Sequence, residues 1–470
     1  MNLLGRVKPL DELLAQSGAD PHGTALKKTL GVWGLTALGI GAIIGTGIFV
    51  LTGHAAATQA GPAIVLSFVV AGIVSALAAL CYAELASTVP VSGSAYTYVY
   101  ATLGEFLAWI VGWGLILEYA LGAATVAIGW SGYFSDFLSA SALHLALPKA
   151  LTTNPFAGGI VNLPALLIIL IITALLIRGT TESDAVNKTI VAIKLAIVVF
   201  FIVVGAGHVN PANWHPFAPF GAWGVFSGAS IVFFAYIGFD AVSTSAEEVK
   251  NPERDLPLGI LLSLVICTVL YIIVSAVLTG VLPYSQLNVA SPVSYAMIRI
   301  GLGWAGEIIA IGAIAGLTTV LLVLLYGQSR IFFTMSRDGL LPRVFARVHP
   351  RFRTPYLSSA LIGIVVAIVA GVGSLDIVAE LVNIGTLAAF AFVSIGVIIL
   401  RNRRPDMKRG FRVPFSPVVP ILAVLGALFL IWRLQAVTKW AYVIWLVFGL
   451  LVYFFYARAR STVGREAGAA

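Results

Sequence analysis

Twelve long apolar segments, separated by short polar loops, constrain the fold of this chain more than any other feature. A helix needs about 20 apolar residues to cross the hydrocarbon core of a bilayer, and most of the segments approach that length. Hydrophobic residues make up 59% of the 470 positions and charged residues only 10%, which excludes a soluble domain. The sequence therefore predicts an all-α polytopic membrane protein with twelve transmembrane helices. The predicted spans lie at approximately 33–54, 61–88, 106–135, 162–178, 187–207, 223–246, 257–282, 300–330, 356–373, 377–400, 417–435 and 440–457.

Basic residues indicate how the spans are oriented. Most of the 28 Lys and Arg residues fall in the leader, in alternate loops and in the tail, which the positive-inside rule assigns to the cytoplasm. The leader lacks the apolar core of a signal peptide, so both termini are predicted to be cytoplasmic. The net charge of +8 follows from this bias. The basic clusters at 337–353 and 401–412 are expected to face anionic lipid, and they give no case for nucleic-acid binding.

The first span contains a glycine-rich stretch, GIGAIIGTGIFVL at 39–51, about halfway across the membrane. Glycine costs roughly 1 kcal/mol relative to alanine inside a helix. A break at this depth is tolerated only where it is buried in protein or lines a watery cavity, so it indicates a binding site. The alternative is that Gly41, Gly45 and Gly47 only allow neighbouring helices to approach closely.

A second interruption occurs five spans later, in SGASIVFFAYIGFDAVSTSAEEVKNPERDLP at 227–257. Two broken helices at matching positions of two five-span halves are typical of an inverted-repeat transporter with its site near the midplane. The predicted organisation is a leader at 1–30, repeats at 31–207 and 208–400, a basic loop with two further spans at 401–457, and a tail at 458–470.

The first break has the chemistry of an anion site. A half-helix that starts near Thr46 points free backbone N–H groups and a positive dipole end into the gap. A carboxylate suits that position.

Few ionisable residues lie at membrane depth, and each is a functional candidate because its burial is costly. Lys194 follows Lys188 by six residues, which places it roughly 9 Å into the fifth span at 1.5 Å per residue. It either snorkels to the surface or is buried, where desolvation favours the neutral amine. Glu118, among apolar, aromatic and glycine neighbours, is a partner for a cationic side chain, part of a proton path, or a structural hydrogen-bonding group. Asp240 either contacts a long basic substrate or caps the second break.

Four stretches carry a resemblance to a known family: GIGAIIGTGIFVLTGHAAATQAGPAIVLSF, CYAELASTVPVSGSAYTYVYATLGE, FFAYIGFDAVSTSAEEVKNPERDLPLGI and SRIFFTMSRDGLLP. They resemble the amino acid–polyamine–organocation superfamily, and most of all its cationic amino acid transporters of bacterial type. The resemblance implies the fold of the sodium-coupled leucine transporter, in a bacterial inner membrane. A bundle of spans 1, 2, 6 and 7 would move against a scaffold of spans 3, 4, 8 and 9.

The resemblance also implies roles for individual residues. The substrate carboxylate would bind the backbone around Gly45, Thr46 and Gly47. Phe234 would be an aromatic gate, or else a core phenylalanine. Lys194 would occupy the position where sodium-coupled relatives bind their ion, which implies proton coupling without sodium. The carbonyls that would bind the substrate ammonium are those of Ile43, Phe234, Ala235 and Ile237.

The expected function is secondary active import of L-α-amino acids. Two substrate classes stay open: cationic ones such as arginine, lysine and ornithine, with Glu118 as counter-charge, and small neutral ones such as alanine. Apolar Leu321, Leu324 and Leu325 would line the side-chain subsite, and their bulk favours small substrates. Exchange, polyamine transport and a nutrient receptor on the same fold are the alternatives.

Other classes lack support in the sequence. An embedded enzyme would need paired histidines and carboxylates or a Gly-x-Ser-x-Gly elbow, which are absent. A channel would need a selectivity-filter motif, and none occurs. Cys81 and Cys267 lie in apolar runs as small packed hydrophobes. We therefore expect no enzyme activity, no metal and no cofactor other than a coupling proton.

Overall fold

The computed structural model describes residues 7, 28–89, 94–140, 146–179, 184–352 and 354–464. Most of the predicted leader and the end of the predicted tail therefore lie outside the described residues. Within the described ranges the chain is helical, and the one strand-like pairing joins Leu30 to Val249. This agrees with the predicted all-α class.

Fourteen longer helices, numbered α1 to α14 in chain order, form the framework within these ranges. They are α1 Val32–Ile43, α2 Ile64–Thr88, α3 Ser94–Thr102, α4 Glu105–Ala140, α5 Leu163–Arg178, α6 Asp184–Ala206, α7 Gly221–Val232, α8 Pro252–Val281, α9 Pro292–Arg299, α10 Gly303–Arg337, α11 Tyr356–Val372, α12 Leu375–Arg403, α13 Val418–Arg433 and α14 Ala436–Val452. Shorter helical segments connect them, among them Gly47–Leu51, Thr52–Ala55, Ala56–Ala60, Phe233–Tyr236, Ala241–Thr244, Tyr453–Ala457 and Arg458–Arg460.

Local sequence signals explain where helices begin and end, as α5 illustrates. The Asn162 side chain accepts a hydrogen bond from the Ala165 N–H at 3.2 Å, so it caps a first turn that also contains Pro164. The helix ends at Gly179, whose φ of 87° is readily adopted only by glycine.

Length and composition identify the membrane-crossing helices. In the described part of the chain, eight helices are long and apolar enough to cross a membrane, and four shorter apolar helices accompany them. Large apolar side chains point outward, including Val203 at 67%, Ile444 at 68% and Phe455 at 84% exposure. Such a surface suits lipid and not water. The chain is therefore a polytopic membrane protein, while the count of twelve crossings and the inverted repeat stay predictions.

The core is built around α4, which packs against α10 and α12. In the same framework α2 packs against α8, and α5 packs against α11. Trp113 of α4 stacks on Trp445 of α14, with ring centroids 4.6 Å apart. These contacts bring the middle of α4 next to both interrupted helices.

A buried acid fixes the loop that follows α12. The Glu84 carboxylate at the end of α2 accepts hydrogen bonds from Arg401 Nε at 2.8 Å and from the Val413 N–H at 2.7 Å. Arg409 Nε lies 3.4 Å from the same carboxylate. The Glu84 side chain is 1% exposed. It is therefore a buried partner that binds several groups of the basic loop, and not an ordinary surface charge.

Candidate functional site

The first helix break lies where the glycine-rich stretch predicts it. Helix α1 ends at Ile43, and Ile44 is extended with φ of −73° and ψ of 104°. Helical structure then resumes at Thr46, and the Phe49 N–H donates to the Gly45 carbonyl at 3.2 Å. The N–H groups of this new first turn have no acceptor within the helix, because a helix start leaves them unpaired.

The second break interrupts the helix that begins at Gly221. After α7 comes a tight turn at Phe233–Tyr236, and then Ile237 is extended with φ of −64° and ψ of 137°. Gly238 has φ of 115°, a conformation that side chains other than glycine disfavour. Helical structure resumes at Ala241–Thr244, beside Asp240.

The two breaks lie against each other, with a glycine at each contact. A Cβ added to Gly47 would overlap the Ala235 backbone, and one added to Gly238 would lie 2.9 Å from the carbonyl carbon and oxygen of Ala42. Each glycine is therefore required by the close approach of the other chain segment. The glycines thus allow close packing, as one sequence interpretation predicts, and they also flank an interrupted helix. The binding site inferred from that interruption stays a prediction.

A cavity of about 40 Å³ lies between the breaks. It is walled by both interrupted helices together with α4, α10 and α12. Nine of the predicted site residues line it: Ile43, Gly45, Thr46, Gly47, Glu118, Phe234, Ile237, Asp240 and Leu324. Most of its lining is buried, with Thr46 at 0% and Phe234 at 7% exposure, so the cavity is largely closed to bulk solvent.

Four predicted residues do not line the cavity. Ala235 contributes its backbone to the contact with Gly47 instead. Leu321 is buried elsewhere, because the face of α10 that reaches the cavity carries Val320, Val323 and Leu324. Leu325 is likewise buried away from it. The helical spacing of i, i+3 and i+4 accounts for this choice of face.

Lys194 is the fourth predicted residue outside the cavity lining, and it contacts the backbone at the first break. Its Nζ donates to the carbonyl of Gly41 at 2.7 Å and to that of Ile44 at 3.3 Å, and the side chain is 1% exposed. It is buried, so the snorkelling alternative is wrong. Carbonyls at the end of a helix lack partners within the helix, and a cation there also complements the helix dipole.

The predicted ammonium-binding carbonyls are partly occupied. The Tyr271 hydroxyl donates to the Ile43 carbonyl at 2.9 Å, and the Ile237 N–H donates to that of Phe234 at 3.2 Å. Each carbonyl oxygen has a second lone pair, so both can still accept a bond from a ligand.

The carboxylates of Glu118 and Asp240 face the cavity, and each of these side chains is 3% exposed. Among the described residues, Oε2 of Glu118 has no hydrogen-bond partner, and neither has Oγ1 of Thr46. Buried polar atoms normally have partners, so these two atoms are available to a ligand or a proton.

Several lining residues were not predicted: Ala42, Tyr119, Gly122, Val126, Gly238, Ala241, Val320, Val323 and Val382. The sequence contains a signal for some of them. Gly122 and Val126 follow Glu118 by four and eight residues and so share its helix face. Val382 has no such signal, because its position depends on how α12 packs against α4.

Within the described part of the chain, no group of three or more His, Cys, Asp or Glu side chains could hold a metal ion.

Comparison with known proteins places the chain among transporters. The family model described as amino acid permease matches residues 30–462. The methylthioribose transporter of Bacillus subtilis (strain 168) is 53% identical over 99% of this chain and 100% of its own length. The branched-chain amino acid permease BcaP of the same organism is 51% identical over 98% and 99%. The vacuolar cationic amino acid transporter 4 of Arabidopsis thaliana is 42% identical over 86% and 68%.

Proposed function

The chain belongs to the amino acid permease family, as its resemblance to the superfamily predicts, and is a transporter rather than an enzyme. We propose that it imports L-α-amino acids across a bacterial plasma membrane, with both termini in the cytoplasm. In this proposal a proton gradient drives uptake without sodium.

The observation that carries the proposal is that the two helix breaks face each other across one cavity. Free N–H groups around Thr46 are a site for the α-carboxylate. Carbonyls of Ile43 and Phe234 are acceptors for the α-ammonium. A site of this kind binds the part that all amino acids share and leaves the side chain to the remaining walls.

Those walls favour an aliphatic side chain. Val126 of α4, Val320 and Leu324 of α10, and Val382 of α12 surround the space beyond the breaks. Apolar walls stabilise apolar side chains by removing them from water. The branched-chain permease BcaP, at 51% identity over nearly the whole chain, supports the same choice. We therefore propose neutral aliphatic amino acids as the main substrates.

A cationic substrate is the second candidate, favoured by a different observation. Glu118 and Asp240 both line the cavity, and Oε2 of Glu118 is unpartnered within the described structure. A guanidinium or ammonium group is the natural partner of such a carboxylate. The relationship to the Arabidopsis thaliana cationic amino acid transporter 4 agrees with this candidate.

We assign the coupling proton to Lys194. As an ammonium ion, its Nζ holds the carbonyls of Gly41 and Ile44 and fixes the end of α1 beside the first break. Loss of the proton removes the charge from this contact and weakens it. Proton binding would thereby be linked to the shape of the carboxylate site.

Transport by alternating access requires that the buried cavity open to each side in turn. Phe234, which lines the cavity at the second break, is proposed to cover the substrate until the cytoplasmic side opens. Movement of the two interrupted helices against α4 and α10 would change the cavity without unfolding either half.

Uptake into proteoliposomes tests the proposal. Labelled leucine, alanine and arginine would be offered under an inward proton gradient or an inward sodium gradient, with the membrane potential clamped. We expect proton-driven accumulation of leucine or alanine and no stimulation by sodium. Labelled methylthioribose would be offered in a parallel assay, because a relative at 53% identity is named for it. Sodium dependence, or uptake of methylthioribose but of no amino acid, would contradict the proposal.

A further inference from the structure

A buried amide supports the second helix break. Asn383 of α12 is 0% exposed, and its Nδ2 donates to the carbonyls of Ser230 at 2.7 Å and Ile231 at 3.1 Å. Both carbonyls belong to the last turn of α7, immediately before the tight turn at Phe233–Tyr236. One side chain thus crosses between helices to bind the end of the interrupted one.

The contact between Asn383 and α7 affects the position of a residue that lines the cavity. The tight turn at Phe233–Tyr236 carries the cavity-lining Phe234. The orientation of this turn depends on where α7 ends, and the Asn383 amide holds that end of α7. A buried carbonyl that loses its partner is destabilised, which favours a different path for the turn.

The arrangement matches the one at the first break. There, Lys194 of α6 donates to carbonyls at the end of α1, just as Asn383 of α12 donates to carbonyls at the end of α7. Helices α6 and α12 are the fifth and tenth predicted spans, which are equivalent positions in the predicted repeat. One contact uses an amine that can gain or lose a proton, and the other uses an amide that cannot.

We propose that Asn383 is a positioning residue, which holds the second break in the geometry that binds the substrate ammonium. It does not line the cavity, so it acts through the backbone of the turn at Phe233–Tyr236. This inference rests on the proposed function, because it concerns an amino acid bound between the two breaks. The inference adds that the second break, which binds the substrate ammonium, is held in place whether or not Lys194 carries a proton.

Two variants test the role. Asn383→Asp keeps the shape of the side chain and replaces the donor with an oxygen that repels the two carbonyls. Asn383→Leu removes the polar group. The control is Ser394→Ala on the same helix, because Ser394 is 0% exposed and donates to the Phe390 carbonyl of its own helix at 2.8 Å. Monodispersity in size-exclusion chromatography would establish that each variant is folded.

The readout compares leucine with 4-methylpentanoate, which is leucine without its amino group. Leucine Kd and 4-methylpentanoate Ki are measured on purified protein. We expect Asn383→Asp and Asn383→Leu to weaken leucine binding at least tenfold and to leave the affinity for 4-methylpentanoate unchanged. The preference for leucine over 4-methylpentanoate should then fall by the same factor. Ser394→Ala should keep the wild-type preference.

Two results would count against the inference in different ways. If both ligands weaken equally, or neither changes, Asn383 has only a structural role or none, and the inference is overturned. If the wild-type protein itself does not prefer leucine to 4-methylpentanoate, the proposed function fails first. If Asn383→Leu does not fold, the isosteric Asn383→Asp decides the matter.

Discussion

Gly47 lies so close to Ala235 that a Cβ on the glycine would overlap the alanine backbone. This contact joins the two helix breaks and sets the width of the cavity between them. It accounts for a glycine inside a buried helix, where alanine would otherwise be the better helix former.

Gly47→Ala should therefore abolish binding of every substrate alike. The added methyl group forces the two breaks apart, and both ends of the amino acid site move together. Equilibrium binding of labelled leucine, alanine and arginine would measure the effect. Gly34→Ala is the matched control, since a Cβ there meets only a Leu30 side-chain carbon at 3.4 Å. Retention of alanine binding by Gly47→Ala would contradict the assignment of the carboxylate site.

Glu118→Gln should separate the two candidate substrate classes. The change removes the ionisable carboxyl group and keeps the side-chain shape. Hydrogen bonds to charged groups contribute about 1.5 to 3 kcal/mol. We expect arginine binding to weaken about tenfold or more, while leucine and alanine are little affected. Equal losses for arginine and alanine would remove Glu118 from the side-chain subsite and leave it a proton-binding or structural role.

Lys194→Met should uncouple transport from the proton gradient. Methionine has a similar length but cannot donate to the carbonyls of Gly41 and Ile44. Accumulation of substrate under an imposed proton gradient should be lost. Lys439→Met is the control, because Lys439 also donates to a helix-end carbonyl, that of Trp432 at 3.0 Å, but lies away from the cavity. Wild-type accumulation by Lys194→Met would refute the coupling role.

Gly122→Ala should narrow the side-chain subsite. A Cβ at Gly122 would lie 3.5 Å from Leu324, an ordinary contact, so the helix accepts it while the cavity loses a methyl-sized volume. One methyl group changes discrimination by about 10- to 200-fold in an apolar pocket. Competition assays should show leucine weakened much more than alanine. Gly114→Ala, on the same helix and outside the cavity, should leave the ratio unchanged. An unchanged leucine-to-alanine ratio in Gly122→Ala would place the side chain elsewhere.

Glu84→Ala should destabilise the protein without altering substrate preference. It leaves Arg401 and Arg409 without their shared carboxylate. Removal of one partner from a buried ion pair costs about 3 to 5 kcal/mol. The thermal midpoint in detergent should fall by several degrees. Glu253→Ala should have little effect, because Glu253 is 60% exposed and lies 3.9 Å from Lys408. Equal thermal midpoints for the two variants would contradict the stabilising role of Glu84 in the basic loop.

The sequence alone predicted the class of fold and the position of both helix breaks, because glycine inside an apolar span has few explanations at membrane depth. It did not predict which face of α10 reaches the cavity. Leucine and valine are both apolar, so the sequence predicts Leu321 as a lining residue, whereas in the structure Val320 lines the cavity. Asn383 was also missed, since nothing in its neighbours along the chain indicates that it reaches the carbonyls of Ser230 and Ile231 on another helix. Contacts between distant segments depend on packing, which local patterns do not record.

The central claim is that the cavity between the breaks binds both α-groups of an amino acid. The most direct measurement is displacement of labelled leucine from the purified protein by unlabelled leucine, by 4-methylpentanoate, which lacks the amino group, and by 3-methylbutylamine, which lacks the carboxylate. We predict saturable leucine binding that leucine displaces and that both analogues displace at least a hundredfold more weakly. Absence of saturable leucine binding, or displacement by either analogue as effectively as by leucine, would contradict the claim.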